Sequence, residues 1–278
     1  GNYPASLRYL SAILSDPELS AYYLPAFLTY SRMDLPIRDV LDKGIPQTPV
    51  AAQAFLRFLM QQGQIESAET TWKWMADRSL DDTTIAGEYV SFLILKRRIE
   101  GAAETWGELY RANIPEYRHT NWIFNGGFES PFRPSPLDWH VDPNENVRAS
   151  RVLDVAHEGR SSLGLGFPGN ANVDYHVWQQ AVLPPGKWKL QAFVKTDSLT
   201  TDQGISLRIS DALQPQRLDS RTDPVMGTHE WTKVERAFAI GAKTTLVQVE
   251  IMRQASLRID NKIAGKAWID AVELRPTH

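Results

Sequence analysis

The sequence predicts two unlike halves, a set of helices over residues 1–118 and an antiparallel β-sandwich over residues 119–278. Three observations carry this. Apolar residues follow a helical period before Ile114-Pro115 and alternate with period two after it. Proline and glycine become frequent at the same point. Within the first half, FLRFLMQQGQIESAETTW (from Phe55) returns as YVSFLILKRRIEGAAETW (from Tyr89), an offset of 34 residues.

Thr48-Pro49 reads as a helix start, with a capping hydroxyl and then a proline at the first helical position, where its missing N–H is of no consequence. PVAAQAFLRFLMQQG follows. Val50, Ala54, Phe58 and Met60, or Ala51, Phe55, Leu56 and Leu59, give it a broad apolar face, and Gly63 closes it. QIESAETTWKWMADR is a second helix, and Asp81-Asp82 can cap a third. In the repeat, Phe58 falls on Phe92, Ile65 on Ile99, Ala68 on Ala102 and Trp72 on Trp106. A 34-residue helix-turn-helix period is that of tetratricopeptide repeats, and the segment resembles two of them. Arg97 stands where the first copy has Gly63, so the glycine of the signature is met once. The resemblance implies a helical surface that docks a protein partner.

In the second half, VWQQAVLPPGKWKLQAFVKT reads as two strands around a Pro-Pro-Gly turn, with Trp188, Leu190, Ala192 and Val194 alternating with Lys189, Gln191, Phe193 and Lys195. GISLRISD, EWTKVERAFAI, TTLVQVEIM and KAWIDAVEL behave alike. Strands at this spacing without helical interruption predict an antiparallel sandwich. The link RANIPEYRHTNW has no Gly/Ser tract. Helices are therefore expected to pack on the sandwich, with Tyr117 or Trp122 near the junction.

Composition excludes several functions. With 42% hydrophobic and 23% charged residues the chain has the makings of a real core. A net charge of -3 argues against nucleic acid, which needs a basic face. No run approaches the ~20 apolar residues of a membrane span. Cysteine is absent, which rules out disulfides, thiolate metal sites and a cysteine nucleophile. No G-x-S-x-G, phosphate loop, dinucleotide fingerprint or H-E-x-x-H occurs. His119, His140, His157, His176, His229 and His278 lack metal-ligand spacing. Asp138, beside Trp139, is expected to be structural rather than an acid. The protein is therefore read as a non-enzyme.

NWIFNGGFES, LDWHV, AHEGRSSLGLGF, WQQAVLPPGKWKLQAFVKT, EWTKVERAFAI and KAWIDAVEL occur in this order over residues 119–275. The series resembles carbohydrate-binding modules of the galactose-binding-like jelly-roll group. That resemblance implies a jelly roll whose first strand, NWIFNGGFE, lies beside its last, KAWIDAVEL, with Phe128 in the core. It also implies a structural calcium held by Glu129 and Asp270. Main-chain carbonyls near Glu158-Gly159-Arg160-Ser161 would complete the six to eight oxygens calcium requires. Trp139, Trp188, Trp231 and Trp268 take core positions in the group.

A sugar-binding surface needs an aromatic platform and planar hydrogen-bonding groups. In NVDYHVWQQ, Tyr175 and Val177 project to one face and His176 and Trp178 to the other, and only one face can be core. By the resemblance, this strand lines a concave cleft. Tyr175 or Trp178 is then the platform, His176, Gln180, Gln191 or Arg253 supplies rim donors, and Phe193 can face the cleft. The reading that results is a non-catalytic protein that binds a glycan through its sandwich and a protein through its helices. Its expected setting is the bacterial envelope, periplasmic or extracytoplasmic, with an export signal or anchor ahead of Gly1. The alternative is a scaffolding module whose jelly roll binds no sugar.

Overall fold

The structure, a computed structural model, describes residues 3–277. It divides into two compact units, one ending at Arg97 and the other beginning at Arg98.

The first unit consists of α1 (Tyr3–Leu14), a short 3-10 segment (Pro17–Tyr22), α2 (Tyr23–Arg32), α3 (Ile37–Lys43), α4 (Pro49–Gln61), α5 (Ile65–Ala76) and α6 (Thr83–Leu95). Pro49 opens α4 behind an extended Thr48, whose side chain makes no capping bond. Asp82 does cap α6, its carboxylate accepting the N–H groups of Thr84 and Ile85. Ala51, Phe55, Leu56, Phe58 and Leu59 are buried, whereas Val50 is exposed. The core is aromatic: Phe27 lies 5.1 Å from Phe55 and 5.5 Å from Phe58, and Trp72 stacks on Tyr89 at 4.7 Å. Gly63 turns the chain with a φ of 68°, and Arg97 does so in the second copy with a φ of 63°. The helix ending is thus the same in both copies. In the second it carries the cost, about 1–2 kcal/mol, of a side chain in a left-handed conformation.

The second unit begins with α7 (Ile99–Tyr110), so this helix belongs with the strands that follow it. The reason lies in its packing. Trp106 is fully buried, and Trp106 and Tyr110 meet Phe124 at 5.3 and 5.4 Å. Tyr117 meets the same ring at 5.2 Å, and the Arg133 guanidinium lies 4.3 Å above Tyr110. Residues 111–118 therefore run inside a compact unit, and the units part well before the helical text ends.

Among the described residues ten strands follow: β1 (His140–Val141), β2 (Arg148–Leu153), β3 (Ser161–Pro168), β4 (Tyr175–Val182), β5 (Gly186–Leu199), β6 (Ser206–Asp211), β7 (Asp219–Arg221), β8 (Gly227–Ile240), β9 (Leu246–Arg253) and β10 (Ala264–Pro276). They form two antiparallel five-stranded sheets, ordered β1-β4-β9-β6-β7 and β2-β3-β10-β5-β8. Alternation sorts the side chains. Val177, Leu207, Val249, Leu165, Leu190 and Ile269 are among those that face inward and fill one core, with Trp139 and Trp188. Trp231 and Trp268 are not in that core. Each has the strand parity of the solvent-facing side and is half-buried there.

NWIFNGGFE does run beside β10, but as an irregular segment rather than a strand. The Trp122 N–H donates to the Leu274 carbonyl, and the Val272 N–H donates to the Gly126 carbonyl. The Asn121 amide donates to Val272 O and accepts from Leu274 N–H, which brackets a bulge where β10 shifts register between Asp270 and Glu273. The chain turns at Asn125 and Phe128, both with positive φ, and Phe128 is buried. Gly126 serves close approach instead, since a Cβ there would overlap the Val272 carbonyl.

Candidate functional site

The outer face of the β4–β9 sheet carries a polar cleft of about 580 Å3, lined by Asp174, His176, Arg208, Asp219, Arg221, Arg236 and Met252 among others. Strand register sets further side chains beside it on the same face. Trp178 pairs with His140 on one side and Glu250 on the other, and Glu250 pairs with Arg208. His176 pairs with Met252, and Gln180 with Gln248. Residues opposed across an antiparallel ladder share a face, so these side chains form one surface.

Trp178 and His140 stack with centroids 4.1 Å apart and ring planes within 5°. His140 is fixed by its Nε2–H, which donates to the Ser135 carbonyl at 2.8 Å. Beside this pair runs a chain of alternating charge. His176 donates through Nδ1 to Glu250 and through Nε2 to Asp174, each at 3.0 Å. Arg208 donates to the other Glu250 oxygen at 3.0 Å and grips Asp219 with two bonds of 2.8 Å. Arg221 donates to Gln254, and Arg236 to Ser220.

The hydrogen bond to Glu250 raises the His176 pKa above 6.5 against the opposing effect of burial, and Asp174 adds to the rise. Burial pushes Glu250 up, but the bond from His176 and the charges of His176 and Arg208 outweigh it and hold the carboxyl below its usual range. Glu250 and Asp219 thus share one guanidinium as ionised partners, and neither is left as a free proton donor. The Gln180 Oε1 is buried and accepts from no group among the described residues. An aromatic face beside fixed donors and acceptors suits a flat, hydroxyl-rimmed ring.

Of the residues singled out from sequence, His176, Trp178 and Gln180 share this face. Tyr175 does not: it is 5% exposed, core-facing, and its hydroxyl donates to the Asp142 carbonyl. Arg253 has the same inward parity and is 1% exposed, its guanidinium held by Asn172, Val173, Thr201 and Asn261 beneath loops from three strand ends. Gln191 and Phe193 lie on the other sheet. Gln191 donates to Glu273, and Phe193 stacks at 3.6 Å on His157, which Trp231 meets edge-on. Sequence reading missed His140, Arg208, Asp219 and Glu250. Arg208 and Glu250 had a signal in their alternation with Leu207, Ile209, Val249 and Ile251. The pairing of β1 with β4 had none.

Glu129 and Asp270 meet the same loop, as expected, but the atoms that face them are N–H groups. Asp270 accepts from His157, Glu158 and Ala271, and Glu129 accepts from Arg160 and Ser161. The Glu158 carboxylate is exposed and contributes only its main chain. Among the described residues no three metal-ligating side chains converge. Both carboxylates thus clamp the loop through its N–H groups. Burial raises the Asp270 pKa, the loop N–H groups oppose the rise, and the charge of Glu129 adds to it. Asp138 is fully buried, accepts from Arg133 and Trp139 main-chain N–H groups, and is pushed by burial to about 7. Among the described residues no helix is long and apolar enough to cross a membrane.

Neither a family model nor a curated relative matches the sequence. Solved structures match its second half. TmCBM61 in complex with β-1,4-galactotriose is 20% identical over 56% of this chain and 99% of its own, with a TM-score of 0.42. A Family 16 carbohydrate-binding module is 16% identical over 55% of this chain and 99% of its own, at 0.40. The enzymatically active domain of bacteriophage CBA120 tailspike protein 4 is 13% identical over 57% of this chain and 22% of its own, at 0.43.

Proposed function

We propose that the sandwich binds a glycan chain, without catalysis, across the outer face of the β4–β9 sheet. The observation that carries this is the Trp178–His140 stack set beside the His176–Glu250–Arg208–Asp219 chain on one face. Sugar C–H groups would meet the indole, and Gln180 and Gln248 would meet hydroxyls, with His176 held beside them. The carboxylates hold Arg208 and His176 in place and do no acid–base work. The helical repeat, by its period, is the part that would engage a protein partner. An extracytoplasmic, envelope-associated setting completes the reading and rests on the sequence resemblance; cell fractionation with an antibody to the chain tests it.

Affinity electrophoresis through gels holding neutral polysaccharides (β-galactan, xylan, β-glucan) tests the glycan site. Retardation by at least one polymer, lost in Trp178→Ala, is expected. No retardation, or retardation that Trp178→Ala leaves intact, would overturn it, and the former would favour a scaffolding module.

A further inference from the structure

We propose a second saccharide site, for an acidic chain, on the opposite face of the sandwich. The outer face of the β5–β10 sheet holds a trough of about 480 Å3, lined by Arg148, Ser150, Gly164, Gly166, Lys266 and Trp268 among others. It follows from register. Arg148 and Lys266 both pair with Gly166, while Ser150 and Trp268 both pair with Gly164. β3 thus forms a floor of glycines between side chains of β2 and β10, two strand spacings or about 10 Å apart.

The two glycines differ in cause. Gly164 has a structural reason, because a Cβ there would overlap the Val152 side chain. Gly166 has none. Its φ is not left-handed, and a Cβ would meet only Arg148, at 3.7 Å, an ordinary contact. What its missing side chain does is keep the trough open alongside the half-buried Trp268.

The chemistry of the walls selects the occupant. A peptide strand laid in the trough would bury main-chain N–H and C=O groups with no partner, since the β3 main chain is already paired to β2 and β10. A sugar ring brings C–H faces to Trp268 and the glycine floor and points its polar groups sideways, at Ser150, Arg148 and Lys266. Among the described residues no ion pair engages Arg148 or Lys266, and no carboxylate lines the trough. Asp197 is paired with Lys266 across the β10–β5 ladder but does not line the trough, and Glu230 is taken up by Lys195 at 2.7 Å. Arg148, with no acid on its ladder partner Gly166, and Lys266 stand beside an aromatic wall, and this matches a saccharide bearing carboxylates, a uronate polymer.

The test is affinity electrophoresis and calorimetry with polygalacturonate and its oligomers on the whole chain. Gly166→Leu fills the trough with no strained backbone, and Trp268→Ala and Arg148→Gln remove a wall and a charge. Near-ultraviolet circular dichroism checks that each variant is folded. Binding weakened at least tenfold in Gly166→Leu and Arg148→Gln, weakened by salt, and unchanged in Trp178→Ala is expected. Polygalacturonate binding that survives Gly166→Leu, or is lost in Trp178→Ala, would assign the uronate to the other face and overturn the proposal. So would no binding of any uronate, or equal binding of a neutral polymer in the trough. Because the neutral-polymer site is read through Trp178, each site can fail without the other.

Discussion

The two outer faces of the sandwich are built by the same alternation and end up chemically opposite. On the β4–β9 sheet the central carboxylates are all answered: Glu250 by His176 and Arg208, Asp219 by Arg208, Asp174 by His176. On the β5–β10 sheet the trough is apolar at its floor, and neither Arg148 nor Lys266 is engaged in an ion pair among the described residues, although Asp197 is the ladder partner of Lys266. A satisfied network is rigid and costly to disturb. Unanswered charges at a trough edge contribute little to stability and are available to a ligand. The difference separates a preorganised polar surface from an open electrostatic one.

The largest effect should come from breaking the first network. Glu250→Ala would leave Arg208 with Asp219 alone and His176 with Asp174 alone, at a cost of about 1–3 kcal/mol. Arg148→Ala and Lys266→Ala on the other face should stay within about 0.5 kcal/mol. Chemical denaturation of the three variants measures both, and equal losses on the two faces would erase the contrast.

Next in size is ligand affinity. Trp178→Ala should weaken neutral-glycan binding about tenfold or more, roughly 1.4 kcal/mol, and Trp268→Ala should leave it unchanged. Calorimetry on the two variants separates the faces directly.

A smaller effect is pH-dependent. The folded-state pKa of His176 lies above 6.5, so its pairing with Glu250 and Asp174 stabilises fully below that value and is lost as pH rises through the folded pKa. An NMR titration of the His176 ring should give a midpoint above 6.5, moving down in Glu250→Gln. A midpoint at or below 6.5 would show that the chain of charge is not formed in solution.

The smallest effect is expected at the loop clamp. Chelator or millimolar calcium should leave the melting temperature unchanged, since Glu129 and Asp270 are satisfied by N–H groups. A rise with calcium would restore them as metal ligands.

Much of this was legible in the sequence. The helical period, the 34-residue repeat and the period-two strands all follow from local spacing, and the two-part fold with antiparallel sheets followed from them. The Asp82 cap and the turn at Gly63 were likewise readable, because each depends on neighbours within a few residues. Tyr175 and Trp178 show where reading stops. Alternation puts them on opposite faces, but nothing local says which face is core. The structure decides by giving Tyr175 the Asp142 carbonyl inside and Trp178 the His140 ring outside. Trp231 and Trp268 were expected in the core for the same lack of information.

By itself the sequence determined the order of elements, their type, the alternation along each strand and the absence of cysteine chemistry, since these are properties of short windows and of composition. Only the tertiary structure decided that α7 sits in the second unit through Trp106 and Tyr110. It alone decided that NWIFNGGFE lies beside β10 without forming a strand. It also showed that Glu129 and Asp270 face N–H groups, and that Gly166 opens a trough. Each of these depends on which distant segments meet. Pairing across tens or hundreds of residues is set by the packing of the whole core, and no local pattern encodes it.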